Sequence, residues 1–190
     1  MDQKSLLIVA SALSNHPNDS QEAEPTLSAM PSAIGTPEAA AFDAGYFGPA
    51  TLAACAKRNI EPYIATGRDP HHRSWQQRFA PLPDPPPQEA SSLVKMAYKL
   101  KTELGKAIYG ARKCTVEPVI GIIKEVLGFR QFSLRGVQAA AGEWCLVCLA
   151  FNLKRFHILS VCSTGGGKPS PCLGNKHVQH PRLGKDGYVR

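Results

Sequence analysis

The sequence predicts an α/β fold, a mixed sheet with flanking helices, on two observations. Short apolar runs of strand length alternate with short helical segments over the first 66 residues. From residue 91 onward the apolar residues instead follow a helical period. A chain of 190 residues is long enough to bury a core, and it fits one domain with an additional tail.

The alternation in the first 66 residues assigns each element in turn. Apolar, β-branched residues 6–10 predict a first strand, and the polar stretch at 14–20 predicts a turn. A short helix follows, then a second strand that carries Asp43, a second helix and a third strand. The predicted ranges are 21–34, 40–47, 51–58 and 62–66.

Proline interrupts this pattern between the two parts of the chain. Residues 81–87 contain five prolines, and proline lacks an N–H donor and fixes φ, so neither a helix nor a central strand fits. We therefore expect a linker or crossing loop over about residues 67–90.

Three helices are expected after this loop. The first follows an apolar stripe, the second begins with Thr115 as N-cap and ends at Gly128, and the third covers residues 142–159. Pro118 then falls in the first turn of the second helix, where its missing N–H is tolerated. Residues 160–190 lack periodicity and are expected to be a disordered tail after a domain at 1–159. The stripe consists of Leu93, Met96, Ala97, Leu100 and Leu104.

Charge divides the chain. Residues 1–90 hold 6 Lys/Arg and 10 Asp/Glu, whereas residues 91–190 hold 16 and 5. A basic half joined to an acidic half fits a protein that binds a polyanion in one part and acts on it in the other. A solvated basic helix surface is the alternative interpretation of the same charge.

Neither a signal peptide nor a membrane span is expected, because no charged and apolar leader opens the chain and the apolar run near residues 145–151 is short. A cytoplasmic protein with reduced cysteines follows. An alternative use of the cysteines is a zinc site, since the first two of the set have a two-residue gap, although their surroundings are apolar. That set is Cys145, Cys148, Cys162 and Cys172.

Three acidic residues are candidate ligands for a divalent metal ion. Asp2 precedes the first strand, Asp43 lies in the second, and Glu117 opens an apolar helical stretch. Lys124 is seven residues after Glu117, close to two helical turns, so both are predicted on one face. Carboxylates are the ligands that Mg²⁺ takes, and a pair of ions about 4 Å apart needs them from separate elements.

These segments together resemble bacterial insertion-sequence transposases of the Asp–Asp–Glu (DDE) class, which have a ribonuclease-H-like fold. The resemblance covers about residues 2–159, and its most specific part is Tyr109 to Phe132. The stretches that carry it are 2–10, 43–47, 62–68, 109–132, 142–144 and 152–155.

The resemblance implies that Asp2, Asp43 and Glu117 are catalytic acids that hold two Mg²⁺ or Mn²⁺ ions. The implied substrate is double-stranded DNA at the ends of the element, cleaved and joined by attack of water or a 3′ hydroxyl. A homodimer or a full-length transposase is the implied protein partner. Tyr109, Arg112 or Lys113, and Lys124 correspond to the basic and aromatic residues around the glutamate. Further candidates for phosphate contacts are Lys99, Lys106, Arg130 and Arg135.

The chain departs from the family pattern at its start. Only Met1 precedes Asp2, so the first strand is expected to be truncated and the end-recognising region of the family to be missing. We therefore expect a truncated transposase, inactive in transposition on its own. A non-enzymatic, basic DNA-binding remnant or regulator of a full-length transposase is the alternative.

Overall fold

A computed structural model describes residues 1–67 and 82–164 of the chain, with side chains to residue 161. Its sheet has two parallel strands, β1 (Ala39–Phe42) and β2 (Glu61–Ile64), connected by helix α2 (Pro49–Lys57). Ala39 is paired with Glu61 and Phe42 with Ile64. The predicted mixed α/β class is confirmed at this level, and the order strand, helix, strand was predicted from the alternation.

The N-terminal segment is not a strand, so the prediction for residues 6–10 is wrong. Leu6 has a φ of 59° and lies within a turn that the Asp2 N–H closes by donating to the Leu7 carbonyl at 2.9 Å. A left-handed residue interrupts the extended backbone that a strand needs. The segment contributes Ile8 to a buried cluster instead of an edge to the sheet.

Helix α1 (Ala23–Ser28) is shorter than the helix predicted over residues 21–34. Pro31 precedes a separate 3-10 turn at Ser32–Ile34, because proline cannot continue the hydrogen bonding of the preceding helix. Helices α1 and α2 pack around one small core. It consists of Leu27, Ala54, Cys55 and Ile60.

The helical half begins with α3 (Ser92–Lys101) and α4 (Glu103–Gly121), which meet at Thr102. Thr102 has an extended ψ of 157°, and its hydroxyl accepts the Gly105 N–H at 3.0 Å, so it ends one helix and caps the next. A Cβ on Gly105 would lie 2.0 Å from the Lys99 carbonyl oxygen. Only glycine permits this close approach of the two helices.

Thr115 and Pro118 lie inside α4, so the predicted helix start at Thr115 is wrong. The Thr115 hydroxyl donates to the Ala111 carbonyl at 2.8 Å within the helix and does not act as a cap. The true cap is Thr102, thirteen residues earlier, and the helix tolerates an internal proline.

Helix α4 continues into a π-helical turn at Ile122–Val126, closed by the Leu127 N–H bond to the Ile122 carbonyl at 3.0 Å. The expectation of an uninterrupted α-helix from Glu117 to Lys124 is therefore wrong, because a π turn holds more residues per turn. The predicted end at Gly128 agrees with its φ of 72°.

Helix α5 (Val137–Thr164) is longer at both ends than the helix predicted over 142–159. One of its faces packs on the end of α4 and on the N-terminal segment. The core there comprises Ile8, Val119, Ile123, Cys148 and Phe151. Of the expected disordered tail, residues 160–164 continue the helix and residues 165–190 lie outside the described part.

Asn152 and Arg155 on α5 bond the N-terminal segment. The Asn152 amide accepts the Ile8 N–H and donates to the Ile8 carbonyl, both at 2.9 Å. The Arg155 Nε–H donates to the Ser5 carbonyl at 2.7 Å. These side chains satisfy backbone groups that a neighbouring strand would otherwise take.

By length and composition alone, Val137–Val161 of α5 could cross a membrane. One such helix is weak evidence for a membrane span, although it is not a buried core helix, since 11% of its most apolar window is buried. The polar contacts of Asn152 and Arg155 also commit one face of the helix to the protein. The prolines that precede α3 form no helix or strand over residues 82–91, and residues 68–81 of the expected loop lie outside the described part.

Candidate functional site

Asp43 directly follows β1 and stands before a 3-10 turn, Ala44–Tyr46, at the carboxyl end of the strand. Its Oδ2 accepts a hydrogen bond from Arg112 Nη1 of α4 at 3.1 Å. The sequence places these residues 69 positions apart. Two predicted site residues, one from the sheet and one from the helical half, thus form an ion pair.

Arg112 is held firmly for a surface arginine. Its side chain is 21% exposed, its guanidinium carbon lies 5.6 Å from the centre of the Tyr109 ring, and its Nε is buried without a hydrogen-bond partner. A buried donor left unpaired is costly, whereas a cation over an aromatic face gains attraction. The arrangement presents one fixed positive charge beside Asp43 and the exposed surface of α4.

Asp2 is fixed by its own turn. The Ser5 N–H and hydroxyl both donate to Asp2 Oδ2, at 2.7 and 2.6 Å, and these bonds lower the pKa of the carboxyl below its usual value. Because Arg155 holds the Ser5 carbonyl, the turn is attached to α5. Asp2 is thus ionised and oriented by a local network.

Glu117 is exposed on α4, four residues after the exposed Lys113 and therefore on the same helix face. It is five residues beyond Arg112, or about 7.5 Å along the helix axis at 1.5 Å per residue. The helix places it on the same element as the ion pair with Asp43.

The three acids do not form one cluster. Among residues 1–67 and 82–161, no group of three His, Cys, Asp or Glu side chains is placed to hold a metal ion. In this arrangement Oδ2 of Asp43 accepts from Arg112 and Oδ2 of Asp2 accepts from Ser5, so a two-metal site would require the Asp43–Arg112 pair to open and the acids to come together. The roles of Asp2, Asp43 and Glu117 as metal ligands therefore stay a prediction.

The predicted phosphate-binding cations divide into engaged and open side chains. Lys99 is the most engaged, because it pairs with Glu61, donates to the Pro62 carbonyl at 2.8 Å and lies 4.2 Å from the Tyr63 ring centre. It ties α3 to β2, a structural role that the sequence did not indicate. Lys106 and Arg130 form exposed ion pairs with nearby glutamates. The remaining exposed cations of the predicted set are Lys113, Lys124 and Arg135.

An aromatic cleft lies at the end of the π turn. Phe129, Phe132 and Trp144 contact one another with ring centres 5.3 to 6.4 Å apart. Together with Lys124 and Arg130 they line a cleft of about 310 Å³. No role for this ring cluster was predicted, because the contacts of Trp144 with Phe129 and Phe132 span 15 and 12 positions and have no periodic signal.

Cysteine geometry gives the zinc alternative no support. Cys148 is buried in the core whereas Cys145 is exposed, and neither belongs to a metal-binding group among the described residues. The side chain of Cys162 and all of Cys172 lie outside the described part. Burial also raises the pKa of the Cys148 thiol, which disfavours the thiolate that zinc requires.

One known protein family matches the helical half of the chain. Residues 87–157 match the family model described as transposase DDE domain. The match includes Tyr109, Arg112, Glu117 and Lys124 but neither Asp2 nor Asp43. No curated protein and no solved structure matches the chain.

Proposed function

We propose that this chain, whose residues 87–157 match the transposase DDE domain, takes part in cleaving and joining DNA phosphodiesters during insertion-sequence transposition and does not transpose on its own. The resemblance at the level of the DDE class is confirmed by that match. The finer assignments are our proposal: a ribonuclease-H-like fold, double-stranded DNA as substrate, Mg²⁺ or Mn²⁺ as cofactor, a cytoplasmic location, and a homodimer or full-length transposase as partner.

The observation that supports the proposal best is the Asp43–Arg112 ion pair. Glu117 and Arg112 lie in the matched segment, whereas Asp43 comes from the sheet half that the family model does not cover. The pair brings that distant acid to the same helix as Glu117. Arg112 and Glu117 are five residues apart, or about 140° around the helix, so the ion pair joins Asp43 to the helix of Glu117 without setting the two acids side by side. That both acids serve one reaction centre is part of our proposal.

Arg112 also determines what must change before cleavage. A DNA phosphate and Asp43 compete for the same guanidinium, and arginine binds phosphate in a bidentate manner. Phosphate binding at Arg112 would release the Asp43 carboxylate. We therefore place DNA binding before cleavage, with Lys113 and Lys124 as further backbone contacts from α4 and the π turn.

The non-catalytic alternative is favoured by a different observation, the absence of a three-acid group in the described residues. A basic remnant or regulator would bind DNA through residues 91–190, which hold 16 Lys/Arg and 5 Asp/Glu, without needing Asp2, Asp43 or Glu117. Its affinity would fall with salt in proportion to the phosphates that it neutralises. Both proposals therefore expect salt-dependent DNA binding and differ only in cleavage.

Nicking of supercoiled DNA in Mn²⁺ separates the two. Glu117→Gln removes the charge of the proposed acid, and Glu103→Gln makes the same change at an exposed residue at the start of α4. Nicking by the wild type that Glu117→Gln abolishes and Glu103→Gln retains is the result expected of the enzyme. DNA binding without nicking in the wild type supports the regulator, and no DNA binding contradicts both proposals. Transposition by the isolated chain is a separate step, and inactivity in it stays a prediction.

A further inference from the structure

The loop that joins the π turn to α5 is fixed to that helix by a carboxylate. It runs from Gly128 to Gly136, and both glycines have left-handed φ values, 72° and 89°. Between them, the Glu143 carboxylate of α5 accepts the Ser133 N–H at 2.9 and 3.0 Å and the Leu134 N–H at 3.0 Å. These bonds lower the pKa of the Glu143 carboxyl, so the group is ionised at neutral pH and keeps the loop in place.

Aromatic packing also holds this loop. The rings of Phe129 and Phe132 lie 6.0 and 6.4 Å from that of Trp144, centre to centre. The Phe129 N–H donates to the Ile123 carbonyl at 3.1 Å. The loop is therefore ordered before any partner arrives, and binding at its tip costs little further conformational entropy.

The tip of the loop exposes apolar side chains between two arginines. Leu134 is 53% exposed and Phe132 is 42% exposed, with Arg130 and Arg135 exposed on either side of them in the sequence. An exposed leucine alone is ordinary. Here it stands on a backbone that Glu143 fixes, and a cation flanks it in each direction.

The charges around the loop select DNA as its partner. Residues 91–190 hold 16 Lys/Arg and 5 Asp/Glu, and Arg130 lines the same cleft as Lys124, one of the proposed backbone contacts. Proteins that kink DNA insert an apolar side chain such as leucine between base pairs, while nearby cations contact the backbone. An apolar residue between two arginines on an ordered loop meets both requirements.

We propose that the loop inserts Leu134 as a wedge between neighbouring base pairs of bound DNA, with Arg130 and Arg135 on the flanking phosphates. This role for Leu134 rests on the DNA substrate of the proposed function and adds a kink at the bound site. Arg130 would exchange its exposed partner Glu125, 2.7 Å away, for a phosphate, and exposed pairs of this kind cost little to open. The wedge acts by packing and needs no metal ion.

Binding of a perfect duplex and of the same duplex with a central mismatch, both without metal, tests the wedge. Because a mismatched base pair is cheaper to unstack, the wild type should bind the mismatched duplex about tenfold more tightly. Leu134→Ala should bind the two duplexes about equally. Ile34→Ala is the matched control, since Ile34 is 54% exposed in the sheet half, and it should keep the preference.

Two further readouts separate insertion from charge. A fluorescent adenine analogue next to the mismatch should brighten when the wild type or Ile34→Ala binds, because its base unstacks, and should stay dim with Leu134→Ala. Arg135→Gln should weaken binding to both duplexes alike and reduce the slope of log affinity against log salt by about 0.9. An unchanged slope would remove Arg135 from the phosphate contacts and contradict the arrangement.

The outcomes distinguish the wedge from the proposed function. Equal binding of both duplexes by the wild type, or a preference that survives Leu134→Ala, would overturn the wedge and leave the proposed cleavage standing. A preference lost in Leu134→Ala, in a chain that does not nick DNA in Mn²⁺, would support the wedge and contradict the cleavage. No DNA binding by the wild type would overturn both.

Discussion

Replacing Asn152 by leucine should detach the N-terminal segment from α5. The Asn152 amide makes two hydrogen bonds of 2.9 Å with the backbone of Ile8, 144 residues away in the sequence. Leucine has the same number and branching of side-chain heavy atoms but can neither donate nor accept a hydrogen bond. The Ile8 N–H and carbonyl would then lose their partners beside a buried cluster.

The magnitude follows from those two bonds. A hydrogen bond of this kind contributes about 1 kcal/mol net, so two bonds correspond to about 2 kcal/mol of unfolding free energy. For a chain of this size, 1 kcal/mol shifts Tm by about 2–4 °C, which predicts a loss of about 4–8 °C. Part of the loss should come from Ile8, which packs on Val119 and Phe151 in the same cluster.

Urea unfolding followed by circular dichroism measures the change, and hydrogen exchange locates it. The Ile8 amide should lose protection in Asn152→Leu, whereas amides of β2 should keep theirs. Lys154→Leu, a change at an exposed neighbour on the same helix, is the control and should alter the free energy by less than 0.5 kcal/mol or so. Unchanged stability and unchanged Ile8 exchange in Asn152→Leu would refute the anchoring of this segment by α5.

Three further outcomes follow from other contacts. Gly105→Ala should lower the free energy of unfolding, measured in urea, by about 3 kcal/mol or more, because its Cβ would lie 2.0 Å from a backbone oxygen. Gly110→Ala, with open space around it, should raise that free energy by about 0.5–1 kcal/mol. Equal effects of the two changes would contradict the close contact. Arg58 lowers the pKa of the Glu24 carboxyl, so this pair should stabilise above about pH 4.5 and lose that contribution as the pH falls through the lowered value. Glu24→Gln should flatten this part of the stability profile, and a wild-type profile in the variant would contradict it. Lys99→Met should lower stability more than it lowers DNA affinity, and the reverse order would show that this lysine binds phosphate.

The order of β1, α2 and β2 was predicted correctly because their signals are local. The strand predicted over 40–47 was wrong beyond Phe42, because Ala44–Tyr46 form a 3-10 turn, so Asp43 follows β1 and does not lie in it. Pro49 begins α2 directly after a glycine, and the short apolar runs on either side differ in period from the helix. The apolar run at 6–10 carried the same local signal yet forms no strand. A strand requires a neighbouring strand whose backbone groups are free to pair with it. Here the side-chain amide of Asn152, far along the chain, bonds the Ile8 backbone instead.

The predicted start of α4 was wrong because two threonines precede helical stretches in the sequence. Thr115 and Thr102 are both threonines ahead of helical stretches, but the close packing that Gly105 permits decides for Thr102. The candidate site shows the same division. The residue types around Glu117 indicated the DDE class from the sequence alone, whereas the pairing of Asp43 with Arg112 depends on how α4 lies against the sheet and has no signature in the sequence.

The most direct test of the account asks whether Asp43 and Glu117 serve one reaction centre. Mn²⁺-dependent nicking of supercoiled DNA is measured for Asp43→Asn, Glu117→Gln and the double variant, with Asp84→Asn as the charge-matched control. We predict that each single change lowers the nicking rate by a similarly large factor, and that the double variant nicks no more slowly than either single variant because groups that act as a unit are not additive. Asp84→Asn should nick like the wild type. Nicking that survives Asp43→Asn at the wild-type rate would contradict the account.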